Sequence, residues 1–337
     1  MRRSARWLAV VLAAAVLAAV PAGSSAQVRT LPALTIEAVD RAIVLVNITF
    51  EVNGRVGRGS GSGVVIDPGG YILTAQHVVA RATSIDVVFK SGDTTPAHIV
   101  GTDSVFDLAL IRVDARGSLP VVLLGSSSLL REGDLVTTFG RAPRRTGGPS
   151  SGSFVTLDVE ARPGAPYLRT TAAVFPGDSG GALVNDRGEA VGVIVATARD
   201  GRYSLSVASD AVKALLPDLR TGSVRHAWLG ITGTTIDDDL AFELSLPVRS
   251  GVLIFEVIDG GPAALAGLRG GRAGGAPREV PRGGDIIVSI DGRPVHTFGG
   301  LAGYVLGKRI GDLVMLEILR DGRTFSVPVT LGERPNI

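Results

Sequence analysis

Between residues 45 and 208 the chain is cut into short apolar runs by glycine, proline, serine and aspartate, and that punctuation most limits how it can fold. LVNITFEV (45–52) alternates apolar and polar side chains. GSGVVID (61–67) enters a Pro68-Gly69-Gly70 turn, and YILTA (71–75) leads to Gln76-His77-Val78-Val79. SIDVVFK (84–90), AHIVGTD (97–103), DLALIRV (107–113) and VVLL (121–124) follow. A second set is as strand-rich: DLVTTFG (134–140), SFVTLDV (153–159), YLRTT (167–171), GALVN (181–185), AVGVIVAT (190–197) and YSLSVA (203–208). Strands this short at this spacing are the signature of an all-β sandwich or barrel. The segment 36–43 ahead of them reads as one or two helical turns. SDAVKALLPDL (209–219), with Ser209 as N-cap and Val212, Leu215 and Leu216 at helical spacing, reads as a closing helix.

From Ala227 the pattern changes. A strand at WLGIT, a loop around Pro247 and a strand at GVLIFEVI (251–258) precede a helix at PAALAGL (262–268) that opens on Pro262. After a Gly/Pro/Arg-rich interruption come DIIVSID (285–291), a Gly292 turn, a helix within 297–309, LVMLEILRD (313–321) and TFSVPVTL (324–331). This is a compact α+β module of about a hundred residues, an ordinary domain size. The interruption, 269–284, sets Arg269, Arg272, Arg278 and Arg282 around Glu279 and reads as a solvated loop.

With 337 residues the chain has room for two to three domains. It contains no cysteine, which excludes disulfides and thiolate chemistry, so a nucleophile has to be a hydroxyl, amine or carboxylate. Arg2, Arg3 and Arg6, the apolar run Leu8–Val20 and the small residues ending at Ala26 read as an export leader over 1–26, with an uncleaved anchor as the alternative. Removing it takes away three arginines and leaves 31 basic against 32 acidic residues. Nothing in that balance points to nucleic acid.

The chemistry centres on FPGDSGGALV (175–184), which sets Ser179 between glycines. A serine hydroxyl needs a base within hydrogen-bond reach and donors for the oxyanion formed on an attacked carbonyl. The side-chain-free Gly177, Gly180 and Gly181 leave room for a carbonyl to approach the N–H groups of Gly177 and Ser179. The base has to come from His77, His98, His226 or His296. His77 follows an apolar strand at a turn, His98 lies in a strand, and the other two belong to the downstream module. Asp107, opening DLALIRV, suits the buried acid that would orient an imidazole. GDSGG also satisfies the G-x-S-x-G nucleophile elbow, but that elbow runs into a helix and Ser179 runs into strands. The order His77, Asp107, Ser179 is the chymotrypsin order.

GSGVVID with LTAQHVV, then FDLALIRV, then TTAAVFPGDSGGALVN with GEAVGVI, resemble the HtrA/Deg branch of trypsin-like serine proteases over roughly residues 36–216. WLGI (228–231), GVLIFEVIDGGPAALAGL and GDIIVSIDGRPV resemble the single PDZ domain that follows the protease in many members. The resemblance implies a mostly β chain with two six-stranded β-barrels of the chymotrypsin type over 41–220, then one α+β PDZ domain over 225–334, with 27–40 as linker. It implies His77 as base, Asp107 as its orienter, Ser179 as nucleophile, and the N–H groups of Gly177 and Ser179 as oxyanion hole, with no metal or cofactor. It places Leu229, Gly230 and Ile231 at the loop that cradles a peptide carboxylate. Asp178 departs from the family's asparagine, so it either pairs with a nearby arginine or stays solvated. Thr171 and Phe175 replace an aspartate and an asparagine, and Gln76 stands where Asn or Ala is common, which leaves open whether the oxyanion hole is preformed.

Ala173 stands where trypsins place a carboxylate six residues before the nucleophile, so a basic substrate side chain would be left unpaired there. Small or medium apolar side chains are expected instead, with Ala196, Leu205 and Val207 as further pocket walls. The expected function is an exported, periplasmic, ATP-independent serine endopeptidase for misfolded or unfolded proteins. Its PDZ domain is expected to bind peptide C-termini and regulate the protease, and the assembly to be a homotrimer. The alternative is a non-proteolytic chaperone or peptide-sensing scaffold on the same fold, against which the intact triad argues.

Overall fold

The computed structural model describes residues 30–115, 117–141, 148–161, 164–198, 201–222, 224–272 and 281–335. The expected leader over 1–26 and half of the 269–284 interruption, residues 273–280 with Arg278 and Glu279, lie outside the described residues. A short helix α1 (Ala33–Arg41) leads into β1 (Ile43–Val52), β2 (Arg55–Val65), β3 (Tyr71–Ala75), the single helical turn α2 (Gln76–Val79), β4 (Ser84–Val88), β5 (Thr94–Asp103) and β6 (Leu108–Val113). The six strands close into an antiparallel barrel in the order β1-β2-β3-β6-β5-β4.

Closure depends on size alternation. Glycines 57, 59, 61 and 63 recur at every second residue of β2, and a Cβ on each would meet Phe50, Ile48, Val78 and Ile72 respectively. One face of β2 therefore carries no side chains, and the large side chains of neighbouring elements fill that space, as the taper of a small barrel requires. The same glycines make the segment read as a turn, so only its second half, from Gly61, is recognisable as strand by residue type.

VVLL (121–124) is not a seventh strand. It is the crossover between barrels: Leu123 is 70% exposed and only Leu124 makes a bridge, to Ala190. The second barrel consists of β7 (Leu135–Phe139), β8 (Ser150–Asp158), β9 (Tyr167–Thr170), β10 (Ala182–Asn185), β11 (Ala190–Thr197) and β12 (Ser204–Ala208), closed in the order β10-β11-β12-β9-β8-β7. The mostly β, two-barrel expectation holds.

Helix α3 (Ser209–Thr221) follows the second barrel and packs against both, on β11 and β12 of the second and on β5 and β6 of the first, where β5 is bulged after Ile99. A Cβ on Gly101 would lie 2.2 Å from the Leu219 carbonyl. Ser209 is the first helical residue rather than the expected cap. Its hydroxyl donates to the Gly125 carbonyl at 2.7 Å and accepts the Ser127 N–H at 3.1 Å, tying the helix to the crossover. Burial opposes ionisation of Asp210 beside it, but Lys213 and the Ser128 N–H outweigh that and hold its carboxyl well below the ordinary range.

The third unit contains β13 (Ala227–Trp228), β14 (Ile231–Thr235), α4 (Asp238–Glu243), β15 (Val252–Val257), α5 (Pro262–Leu265), β16 (Ile286–Ile290), β17 (Arg293–Pro294), α6 (Phe298–Leu306), β18 (Leu313–Arg320), β19 (Arg323–Thr330) and β20 (Gly332–Glu333). The sheet order is β14-β15-β16-β18-β19, with β17 on β16, and β13 pairs with β20. Helix α4 occupies part of the stretch read as a loop; Asp237 caps it by accepting the Leu240 N–H at 2.8 Å. Arg272 and Arg282 exchange backbone hydrogen bonds, which closes the base of the interruption.

Candidate active site

The structure joins His77 and Asp107 directly, whereas among the described residues the Ser179 hydroxyl makes no hydrogen bond to His77. At the end of β3 the chain winds into α2, and His77 is its second residue. Asp107 ends the turn between β5 and β6 with φ at 58°, a left-handed conformation that aspartate tolerates better than most side chains. That conformation directs three acceptors at one helical turn. The Asp107 carbonyl accepts the Gln76 N–H at 3.1 Å, Oδ1 accepts the His77 N–H at 2.9 Å, and Oδ2 lies 2.8 Å from His77 Nδ1. The Asp107 side chain is 3% exposed and that of His77 46%. A carboxylate so placed holds the proton on Nδ1 and leaves the Nε2 lone pair facing outward as a base.

Ser179 sits in the loop between β9 and β10, on the second barrel. Phe175 to Asp178 form a turn closed by the Asp178 N–H on the Phe175 carbonyl at 2.9 Å, with Pro176 and Gly177 as its central pair. Gly177 has φ of 100°, the positive value that the third position of a type II turn demands and that glycine supplies without strain. Among the described residues no acceptor takes the N–H of Gly177 or of Ser179. Two donors thus stand uncommitted on the loop that carries the Ser179 hydroxyl, whose hydrogen bond among the described residues is to the Val195 carbonyl at 3.5 Å.

Asp178 is not solvated. It is fully buried, and its Oδ2 accepts the Phe175 N–H at 2.9 Å, so the carboxylate clamps the ends of the turn that precedes Ser179.

The cross-barrel contact runs through Ser62 of β2, a residue the sequence reading missed. Its hydroxyl donates to the Gly177 carbonyl at 2.7 Å and accepts the Arg141 N–H at 2.8 Å, and its N–H donates to the Ser179 carbonyl at 2.8 Å. Arg141 is itself anchored on the first barrel, through Nε to the Ile43 carbonyl and a terminal nitrogen to the Asp40 carbonyl. A Cβ on Gly180 would stand 2.1 Å from the Ser62 carbonyl, so the two barrels meet backbone to backbone here.

Of the expected pocket walls, Ala196 and Leu205 line one cavity of about 550 Å³ with Val195, Ala198 and Tyr167. The Arg169–Asp158 ion pair lies in the same cavity. Val207 is fully buried in the barrel core, one turn of the strand alternation deeper than Leu205. Ala173 is an exposed loop residue whose N–H goes to Ser150 Oγ and whose carbonyl takes the Thr138 hydroxyl. The structure does not bring these two to the cavity.

In the third unit Leu229, Gly230 and Ile231 line a groove of about 280 Å³ between β14 and α6, faced by Phe298, Leu301, Ala302 and Val305. Gly230 has φ of 82°, and among the described residues no acceptor takes the N–H of Leu229 or Gly230. Helix α6 packs on the loop between β8 and β9: a Cβ on Gly299 would lie 2.4 Å from the Val159 carbonyl, and one on Gly164 2.7 Å from Leu306 Cδ1.

The family profile of trypsin-like peptidase domains matches residues 61–193, and that of PDZ domains matches residues 227–331. The chain is 32% identical over 295 residues to the Synechocystis serine protease HhoA, covering 82% of this chain and 72% of that one. The chain belongs to the HtrA family. A DegP-like periplasmic serine endoprotease of Pseudomonas putida is 34% identical over 294 residues, spanning 84% of this chain and 58% of the relative. The chain thus spans little more than half the length of such DegP-like relatives. The HtrA-type protease AlgW with a decapeptide superposes with a TM-score of 0.73 at 25% identity, covering 90% of this chain and 98% of that one. The serine endoprotease from Yersinia pestis gives 0.67 at 26% identity, covering 89% and 97%.

In this HtrA chain the seam at Ser62 makes a specific demand. Ser62→Ala removes the hydroxyl that restrains the Gly177 carbonyl and leaves the Arg141 N–H without its acceptor, a loss of roughly 1–3 kcal/mol. The Gly177 carbonyl then loses its cross-barrel restraint and is held only through the Asp178 N–H on the same peptide. Turnover of a labelled casein is expected to fall about tenfold or more, with the second barrel still folded by circular dichroism; unchanged kcat would show that the loop holds itself.

Proposed function

We propose that this chain is an exported, ATP-independent serine endopeptidase acting on unfolded or misfolded proteins, with protease and PDZ domains over 41–220 and 225–334. The observation that carries the reading is the Asp107–His77 pair, 2.8 Å apart and buried on the Asp107 side, across the barrel seam from Ser179 and two uncommitted N–H groups. In this reading the Ser179 Oγ attacks the scissile carbonyl carbon while its proton passes to His77 Nε2. The oxyanion is held by the N–H groups of Gly177 and Ser179, and His77 returns the proton to the leaving amine. Water, deprotonated by the same imidazole, then releases the acyl group and restores Ser179. Asp107 stays ionised throughout and stabilises the imidazolium.

A preference for small or medium apolar side chains is supported by the cavity walled by Ala196, Leu205 and Val195, the carbonyl of the last accepting the Ser179 hydroxyl. Export to the periplasm is supported by the names of the relatives. Ser179→Ala is expected to abolish casein hydrolysis, and Asp107→Asn to lower kcat by roughly 10⁴ through the wrong imidazole tautomer. Fluorophosphonate labelling of Ser179 decides against the non-proteolytic chaperone reading; a wild-type protein that never labels, with or without added C-terminal peptides, would favour it.

The groove between β14 and α6 is proposed to add a peptide C-terminus as a further strand, its carboxylate meeting the N–H groups of Leu229, Gly230 and Ile231. Contact of α6 with the β8–β9 loop supports regulation of the protease from that groove. Peptides with a free, apolar C-terminus are expected to bind about tenfold or more tightly than their C-terminal amides, because the amide loses the anionic acceptor. Equal affinity in fluorescence polarisation would remove the carboxylate site. The protease domains are further proposed to assemble as a homotrimer, which predicts a light-scattering mass near three times the 34.7 kDa chain; a monomer at all concentrations would refute it.

A further inference from the structure

Outside the machinery above, the most deeply buried titratable pair that joins two domains is His226 with Asp103. Their side chains are 8% and 1% exposed, and His226 Nε2 lies 2.9 Å from Asp103 Oδ2. His226 belongs to the segment entering the PDZ domain, directly before β13, and its carbonyl accepts the Arg334 N–H from the far end of that domain. Asp103 closes β5 on the first barrel, four residues before Asp107.

The position of that pair matters because of what Asp103 does with its other oxygen. Oδ1 accepts the N–H groups of Val105 at 2.8 Å and Phe106 at 3.3 Å, so the carboxylate holds the turn whose last residue is Asp107. The His226 ring also stacks on Phe106, with centroids 5.5 Å apart and planes 28° from parallel. Asp107 sits at a φ of 58°, and its orientation toward His77 depends on the turn keeping that shape. A carboxylate that supports this turn from a buried site has to find a donor for its second oxygen, and the donor comes from the PDZ segment.

We infer that His226 is a positioning residue for the protease: through Asp103 and Phe106 it fixes the turn that aims Asp107 at His77, so that the entry of the PDZ domain completes the active-site scaffold. The inference rests on the roles proposed above for His77, Asp107 and Ser179. The Nε2–H donates to Asp103 in the neutral Nε2–H tautomer and in the protonated ring alike, so the contact requires a donor at that position rather than a charge.

The test compares full-length His226→Phe, which keeps the stacked ring and loses the donor, with His226→Gln, whose amide nitrogen reaches the position of Nε2. On labelled casein, His226→Phe is expected to lower kcat by about 10- to 100-fold with KM within about twofold of wild type, and His226→Gln to recover most of the loss. The acidic limb of the kcat–pH profile of His226→Phe should also move to lower pH, since an Asp107 turned away no longer stabilises the His77 cation. Equal impairment in both variants, an effect on KM alone, or wild-type kcat in His226→Phe overturns the inference. Should His226→Phe not fold, His226→Asn, whose amide stops short of Asp103, takes its place with the same expected result. Ser179→Ala run alongside separates the levels. Turnover surviving in that variant sinks the proposed chemistry, whereas an inert Ser179→Ala beside a fully active His226→Phe sinks only the positioning role.

Discussion

The N–H and hydroxyl of Ser62 are both spent across the seam between the two barrels, and they tie the Ser179 loop to the first barrel. Its N–H holds the Ser179 carbonyl, its hydroxyl holds the Gly177 carbonyl and takes the Arg141 N–H, and its own carbonyl takes the Thr74 hydroxyl. Ser62 and Thr74 are fully buried, so each of these groups would carry a desolvation cost if its partner were lost. His77 and Asp107 come from one barrel and Ser179 from the other, and chemistry between them needs that relative placement to be fixed. A hydrogen-bonded serine in a glycine-lined strand does this where a larger side chain could not fit.

The three residues proposed as a triad each carry a local mark in the sequence: an apolar strand ending at His77, an aspartate opening an apolar strand, a serine bracketed by glycines and followed by strands. What supports those residues was not legible there. Asp178 is buried rather than solvated, and one of its partners, the Phe175 N–H three residues earlier, is a backbone group that a sequence does not show. Ser62 looked like one small residue among several in RVGRGSGSG. The period-2 glycines at 57, 59, 61 and 63 were the available signal that the whole stretch is a strand with an empty inner face.

The two barrels were recognisable through strand spacing and family resemblance together; the errors lie where burial and composition disagree. VVLL is apolar enough for a strand, but it crosses between barrels and pairs through Leu124 alone. Val207 was assigned to the substrate cavity from its place two residues after Leu205. Sharing a strand face with Leu205 does not mean sharing its depth, and Val207 lies inside the closed barrel. Neither error disturbs the site, because the elements that position His77, Asp107 and Ser179 are short and end at the seam.

The same reasoning about size explains how the PDZ domain reaches the protease. Helix α6 contains Gly299, Gly300 and Gly303 in nine residues, and each glycine costs a helix roughly 1 kcal/mol against alanine. The cost makes sense only where a backbone has to come close. Gly299 faces the Val159 carbonyl, and a Cβ on Gly303 would meet the backbone of Gly164, both on the loop between β8 and β9. That loop also contributes Glu160 and Ala161 to the cavity lined by Val195, whose carbonyl accepts the Ser179 hydroxyl, while α6 supplies Leu301 and Val305 to the groove beside β14. One glycine-thinned helix therefore touches the groove on one side and the β8–β9 loop on the other, through the Val159 backbone and the side chains of Ala302 and Leu306.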